Sequence, residues 1–348
     1  MAAFDALSFG IFDQNDHGPY LLAEQYEKRL QLIAFYDSCG FRTYHMSEHH
    51  STPLNLTPSP SVFLAAVAQR TKRLRLDALV YVLPTHHPLR LAEEICMLDH
   101  LSHGRIEIGI GRDASPHELG FWGVDPDAAQ EIYVEAYHVI MQALTRGEVN
   151  FAGKHFQFTN VPIDLKPLQA PHPPLWYAVP VPEGAAWPAQ NKINIVCGGP
   201  LPRVREITDR YRAAWSAAGY AHEPSPLLGI NRFVVAADSD REAMSLGRRA
   251  WPMFFKSFMK LWKMHGTQPR YARIPEDFDT LVQNGGAIAG SPGTIRDRVR
   301  HMTEEAGANY FISQFSFGDL TQEEVTHSVA IFAREMLPAA QERVAQAV

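Results

Sequence analysis

Between Leu74 and Gly123 the chain runs through one pattern: an apolar run, a polar break, an amphipathic helix, and a second apolar run. Leu74, Leu76, Ala78, Leu79, Val80, Tyr81, Val82 and Leu83 make the first run nearly continuous. A parallel strand covered by helices on both faces needs that character. Pro84 ends the run, and His86 and His87 follow. From Pro88 to Leu101 the residues Leu91, Ile95, Leu98 and Leu101 recur at helical spacing with Glu93, Glu94 and Asp99 between them, and Gly104 closes the segment. The next strand, Ile106 to Ile110, ends at Gly111 and Arg112. If the sheet is parallel, the two strand ends share one rim.

The same unit recurs along the 348 residues. Further strands are expected at LSFGIFD from Leu7, RTYHMSE from Arg42, LWYAV from Leu175, INIVC from Ile193, LLGINRFVVAA from Leu227 and NYFISQF from Asn309. Helices are expected over Tyr20 to Ser38, through Ala68, and over Ala128 to Leu144, Glu183 to Gln190, Pro202 to Ala218, Asp240 to Met264 and Pro292 to Ala306, the last capped by Ser291. Thr321 opens the final one. Eight strands, each followed by a helix and with no stretch of linker composition, predict an α/β fold of the (β/α)8 TIM-barrel type, one domain over 1–348. Two insertions account for its length. VNFAGKHFQF, near 149–158, alternates about Gly153 as a hairpin does, and 266–286 lacks a period and suits a lid. The rival is a doubly wound sheet, supported by the G-x-G-x-x-A match from Gly109 to Ala114, but Pro116 and a long loop follow where a nucleotide-binding helix should begin.

Charge and cysteine content narrow the function. A net charge of -6 without a basic patch gives no reason to expect nucleic acid or a membrane as partner. MAAFDALSFGIFD lacks the cationic and apolar regions of an export signal, and no later run reaches the roughly 18 apolar residues of a membrane span, so a cytoplasmic protein is expected. Cys39, Cys96 and Cys197 are odd in number and widely spaced, against a disulfide framework or zinc ribbon. His45-Met46-Ser47-Glu48-His49 spells H-x-x-E-H, which binds zinc when a helix brings both histidines to one face. Here it lies on a strand running into Pro53, and no metal is expected.

In a barrel of this kind the chemistry sits at the carboxyl ends of the strands. Those ends carry Phe12 and Asp13; Glu48, His49 and His50; Tyr81 with His86 and His87; Gly111 and Arg112; Pro180 and Val181; Cys197, Gly198 and Gly199; Asn231; and Phe315 with Phe317. Imidazoles among aromatics and small residues suit a flat aromatic cofactor with a polar edge. Trp122, Trp251, Phe254, Phe255, Phe258, Trp262 and Phe317 suit an apolar pocket, and equally a core or dimer interface.

The segments SEHH, LPTHHPLRLAEEICMLDHLSHGRIEIGIGR, HELGFWGVDP, PHPPLW and AGSPGTIRDRV resemble, in the same order, those of the bacterial luciferase family of flavin-dependent monooxygenases. The resemblance covers nearly the whole chain. It implies a barrel, dimerisation through the early helices as a homodimer or with a related subunit, and reduced flavin mononucleotide (FMNH2) supplied by a separate flavin reductase. It further implies that the flavin reacts with oxygen to a peroxyflavin, which oxygenates a small organic substrate. By the same resemblance Glu48 matches a buried acid near the subunit interface, His49 the catalytic histidine and His50 its neighbour. An imidazole at such a place can take up and return a proton near neutral pH. Leu79 and Val80, before Tyr81, match a non-prolyl cis peptide in a bulge under the flavin, and Gly111 and Arg112 a site beside it, the arginine near the phosphate.

The chain departs from the family in two places. Pro180, Val181 and Pro182, with Glu183 next, stand where hydroxyls usually meet the phosphate, and Pro188 is expected to interrupt the helix that follows; Gln130 stands where some members have arginine. Two other readings therefore stay open: a non-catalytic family member or partner subunit with weak or no FMN binding, and a deazaflavin-dependent oxidoreductase.

Overall fold

A computed structural model describes residues 7–112, 115–269 and 274–337. Its strands are β1 (Ser8–Asp13), β2 (Thr43–Met46), β3 (Arg75–Val82), β4 (Ile106–Gly111), β5 (Glu148–Ala152), β6 (Gln157–Pro162), β7 (Leu175–Ala178), β8 (Asn194–Cys197), β9 (Leu228–Ala236), β10 (Ala287–Gly290) and β11 (Tyr310–Gln314). Eight of them pair in parallel in the order β1, β2, β3, β4, β7, β8, β9, β11, and β11 returns to β1, so the sheet closes as an α/β TIM barrel. Helices follow the strands; Pro88–Leu101 and Asp240–Met264 have the bounds their periodicity predicts. β5 and β6 form the expected antiparallel hairpin.

β10 is a ninth strand in this sheet that sequence pattern does not announce. Ala-Ile-Ala-Gly offers one branched side chain in four residues, too little bulk to read as a strand. Its place is topological: Phe233 of β9 has Gln314 on one side and Ala287 on the other, so β10 takes up the edge of β9 that β8 has left. The stretch 266–286, expected as a lid, is in part ordinary core. Phe278–Gln283 is a helix whose N-cap Asp277 accepts the Thr280 amide, with Phe278 and Leu281 buried; residues 270–273 lie outside the described residues. Ser291 occupies an N-cap position without making the cap bond, and its amide instead donates to Asp240 at 2.7 Å. Thr321, by contrast, forms a full capping box with Glu324.

The barrel interior is layered. Leu79, Trp176, Val196, Tyr310 and Ile312 pack together inside it, with Phe12 and Val80 against them. Toward the amino-terminal ends lie polar groups that satisfy one another: His45 Nδ1 is 2.6 Å from Asp77 and its Nε2 2.9 Å from the Tyr310 hydroxyl, while Trp176 donates to Glu107 at 2.6 Å. Trp251, Phe254 and Phe317, candidates for a pocket, are buried against one another in the core. Trp122 is more than half exposed.

β3 bulges between Ala78 and Tyr81, and the Leu79–Val80 peptide is cis. The bulge pushes β3 toward β4, and the glycines of β4 make room for it. A Cβ on Gly109 would run into the carbonyl oxygen of Ala78 and the Cα of Leu79, and one on Gly111 into Val80 Cγ2. The G-x-G spacing is thus explained by strand packing. Backbone cannot yield as a side-chain tip can, so Gly109→Ala is expected to destabilise the fold by about 1–3 kcal/mol, seen as a lowered urea midpoint; an unchanged midpoint would refute this account.

Candidate active site

β2 ends at Met46, and Ser47, Glu48, His49 and His50 continue along the barrel mouth. The three residues of the H-x-x-E-H spacing part company there. His45 points into the barrel toward Asp77 and Tyr310, Glu48 turns to other histidines, and His49 turns to Glu118. Among the described residues no group of three or more His, Cys, Asp or Glu is placed to hold a metal.

Glu48 is buried and draws three segments together. It lies 2.8 Å from His50 Nε2 and 2.8 and 3.0 Å from His86 Nε2, and it accepts the Val82 amide at 2.9 Å. Burial works to raise its pKa, but the hydrogen bonds from His50 and His86 prevail and hold it below the usual value. Burial likewise works against a charged His86, and Glu48 outweighs it, raising that imidazole. The loop after β2 is thereby tied to the end of β3. His87, the other histidine of the pair, meets the rings of Phe156 and Phe158 edge-on at the hairpin, a packing role.

His49 is held by a residue that sequence reasoning did not single out. Glu118 places one carboxylate oxygen 3.1 Å from His49 Nδ1 and accepts the main-chain amide of His50 on the other at 2.7 Å. It sits on a short helix, Pro116–Phe121, opened by Ser115, whose side chain accepts the His117 amide. Ser115-Pro116-His117-Glu118 has the spacing of a capping box, a signal for this helix inside the long loop expected after Arg112. That signal would send Glu118 back to its own N-cap, whereas the carboxylate reaches the histidine loop. Trp122 then packs edge-on against His50, ring centres 5.0 Å apart.

The other predicted residues surround the same mouth from β3 and β4. Leu79 and Val80 form the bulge above the interior cluster, and Gly111 lies against Val80 with the half-buried Arg112 next. Tyr81 turns the other way: its ring is buried in the helix layer and its hydroxyl lies 3.1 Å from Ser61, so its side chain does not face the mouth. Farther round, Ala178, Gly198 and Gly199 are exposed at the ends of β7 and β8; space is open beside Gly198, while the Arg203 guanidinium lies against Gly199 and Arg232 donates to its carbonyl at 2.8 Å. Glu183 points to solvent near Arg210, 3.5 Å away. Pro188 does not interrupt its helix. It falls in the first turn of Ala186–Gln190, where an amide has no helical partner to lose. Gln130 is exposed near the start of Ala129–Thr145.

The model of the luciferase-like monooxygenases matches residues 7–310. The protein y4wF of Sinorhizobium fredii is 41% identical over 331 residues, 95% of this chain and 96% of its own. Among solved structures, monooxygenase RslO1 from Streptomyces bottropensis superposes with a TM-score of 0.86 at 25% identity, covering 96% of this chain and 99% of that one. The oxygenating constituent of the 3,6-diketocamphane monooxygenase of Pseudomonas putida, a type II Baeyer-Villiger monooxygenase in complex with FMN, has a TM-score of 0.80 at 21% identity, with 96% and 98% covered.

Proposed function

This chain belongs to the luciferase-like monooxygenase family, and from that premise we propose that it is the oxygenase of a two-component system, taking FMNH2 from a separate flavin reductase and oxygenating a small organic substrate with dioxygen. The observation that carries this reading is the pairing of His49 with Glu118 at the mouth of the barrel. With Nδ1–H donated to the carboxylate, a neutral imidazole offers Nε2, on the far side of the ring, as a base.

The strand ends fit a flavin. The bulge at Leu79 and Val80, packed against Gly111, gives a surface for a ring system, and Ala178 and Gly198 at the ends of β7 and β8 leave it space. Arg112 supplies a cation for the phosphate. Bound reduced flavin supplies the electrons by which one atom of dioxygen enters the substrate and the other leaves as water. His49 holds and returns the proton at Nε2, and His50 fixes the loop through Glu48 and Glu118. One domain over 1–348 contains this site. The exposed Leu21, Leu22, Val62, Met97 and Leu101 of the early helices suit a dimer interface. No helix among the described residues is long and apolar enough to cross a membrane.

The apolar stretch Pro180, Val181 and Pro182 favours a second reading, in which FMN is held weakly or a deazaflavin takes its place. Anaerobic titration with FMNH2, FMN and a deazaflavin decides among them, followed by oxygen uptake with a reductase present. Tightest binding of FMNH2 with reductase-dependent uptake is expected; binding of none of the three would overturn the proposal. Glu118→Gln tests the histidine pairing. It is expected to lower kcat/KM about tenfold, because His49 Nδ1 then faces a neutral amide in place of a carboxylate. An unchanged kcat/KM would remove Glu118 from the site.

A further inference from the structure

We propose that the arc of the mouth formed by β9, β11 and β1 is a hydrogen-bonding receptor for the edge of a neutral planar ligand bearing an amide or imide. The proposal deepens the reading of this mouth as a flavin and substrate site, and rests on it.

Three amide side chains stand on this arc. On β9 a Cβ at Gly229 would meet Tyr310 and Ile312 of the interior cluster, so Gly229 faces inward, and Asn231 follows with the same orientation. On β11 Tyr310 and Ile312 are inward, and Gln314, last in the strand, comes next on that face. Phe12 of β1 packs on the same cluster, and Gln14 is the next residue of its parity, just past the strand end. The register steps them along the arc, Asn231 one inward position below the level of Gln314 and Gln14 one above it. Ile312 pairs with Asn231 on one flank and Gly10 on the other, which sets Gln314 level with Phe12. This arc faces β3 and its bulge, since β3 and β9 stand opposite in the closed order of strands.

Each of the three has a buried amide atom without a hydrogen-bond partner: Asn231 Oδ1, Gln314 Nε2 and Gln14 Oε1. Gln314 as a whole is only 2% exposed. Buried amide groups are paired in native chains with few exceptions, and three exceptions at or just past the ends of three adjacent strands call for a common answer. A ligand edge presenting acceptor and donors together would satisfy all of them. Turning any amide over exchanges its donor for its acceptor, so the complement must carry both kinds. A hydrocarbon edge would leave all three unpaired, and an anionic edge would find two acceptors facing it. The shared chemistry is that of a cyclic amide or imide, found both in the pyrimidinedione edge of a flavin and in a carboxamide or lactam substrate.

Gln314→Met and Asn231→Leu, made singly, keep size and remove the amide. Three probes are titrated into each variant and the unaltered protein: FMN, 2-pyridone, and toluene as the ring without an amide. With FMN bound, the unaltered protein is expected to take 2-pyridone about tenfold more tightly than toluene, and the variants to lose that preference with FMN affinity unchanged; this places the amide on the substrate. If instead FMN affinity falls about tenfold in the variants, the receptor holds the flavin's own edge. No change in either quantity overturns the proposal. Should the unaltered protein bind no FMN, the flavin reading fails, and the 2-pyridone and toluene comparison on the apoprotein still decides the receptor. Circular dichroism melts check folding, and if Gln314→Met does not fold, Asn231→Leu carries the test.

Discussion

Replacing His49 with alanine is expected to reduce flavin-dependent turnover by about two to four powers of ten, the usual range for a removed general base, while the fold and flavin affinity stay as they were. The separation follows from the contacts. His49 gives its ring to one partner, Glu118, and Glu118 also holds the His50 main chain, so the loop keeps its tie when the ring is gone. His50→Ala should behave differently, because that ring bonds to Glu48 and packs on Trp122, and its loss loosens the rim before it touches proton transfer. Single-turnover rates with preloaded FMNH2, alongside melts of both variants, separate the two. Turnover by His49→Ala at the unaltered rate would remove the imidazole from the chemistry.

The barrel was legible because its signals are local. Near-continuous apolar strands, helices with a three-to-four-residue period and Gly or Pro at their ends are written in neighbouring letters, which is how Pro88–Leu101 has the bounds its periodicity predicts. What stayed hidden depends on residues far apart in the chain. Gly109 and Gly111 look like a nucleotide fingerprint until β3 is seen to bulge against them. Glu118 looks like a helix cap until the histidine loop, 69 residues earlier, is laid beside it. β10 has almost no side-chain bulk, and only the edge of β9 vacated by β8 makes it a strand. His49 and His50 were proposed from their place at a strand end and the family resemblance, whereas the carboxylate beside His49 shows only once the chain is folded.

Glu48→Ala is expected to be the most damaging single change at the rim, lowering stability by about 3–5 kcal/mol. The side chain is buried, and its removal strands His50 Nε2, His86 Nε2 and the Val82 amide without their acceptor. A stranded buried donor costs its full desolvation, which is why the loss exceeds the net worth of the bonds. The penalty depends on pH in a definite sense. The carboxylate's pKa is depressed below 4.5, so its contribution is complete above that value and is lost as pH falls through the folded-state pKa. The His86 pKa is raised above 6.5, so its contribution is complete below that value and is lost as pH rises through the folded-state pKa. The difference in stability between the unaltered protein and Glu48→Ala should therefore be widest between 4.5 and 6.5 and narrow on both sides. Urea midpoints collected from about pH 4 to pH 8 would show this profile. A difference that is flat across pH, or below about 1 kcal/mol, would mean that the three segments are held by packing alone and that the carboxylate is incidental to the rim.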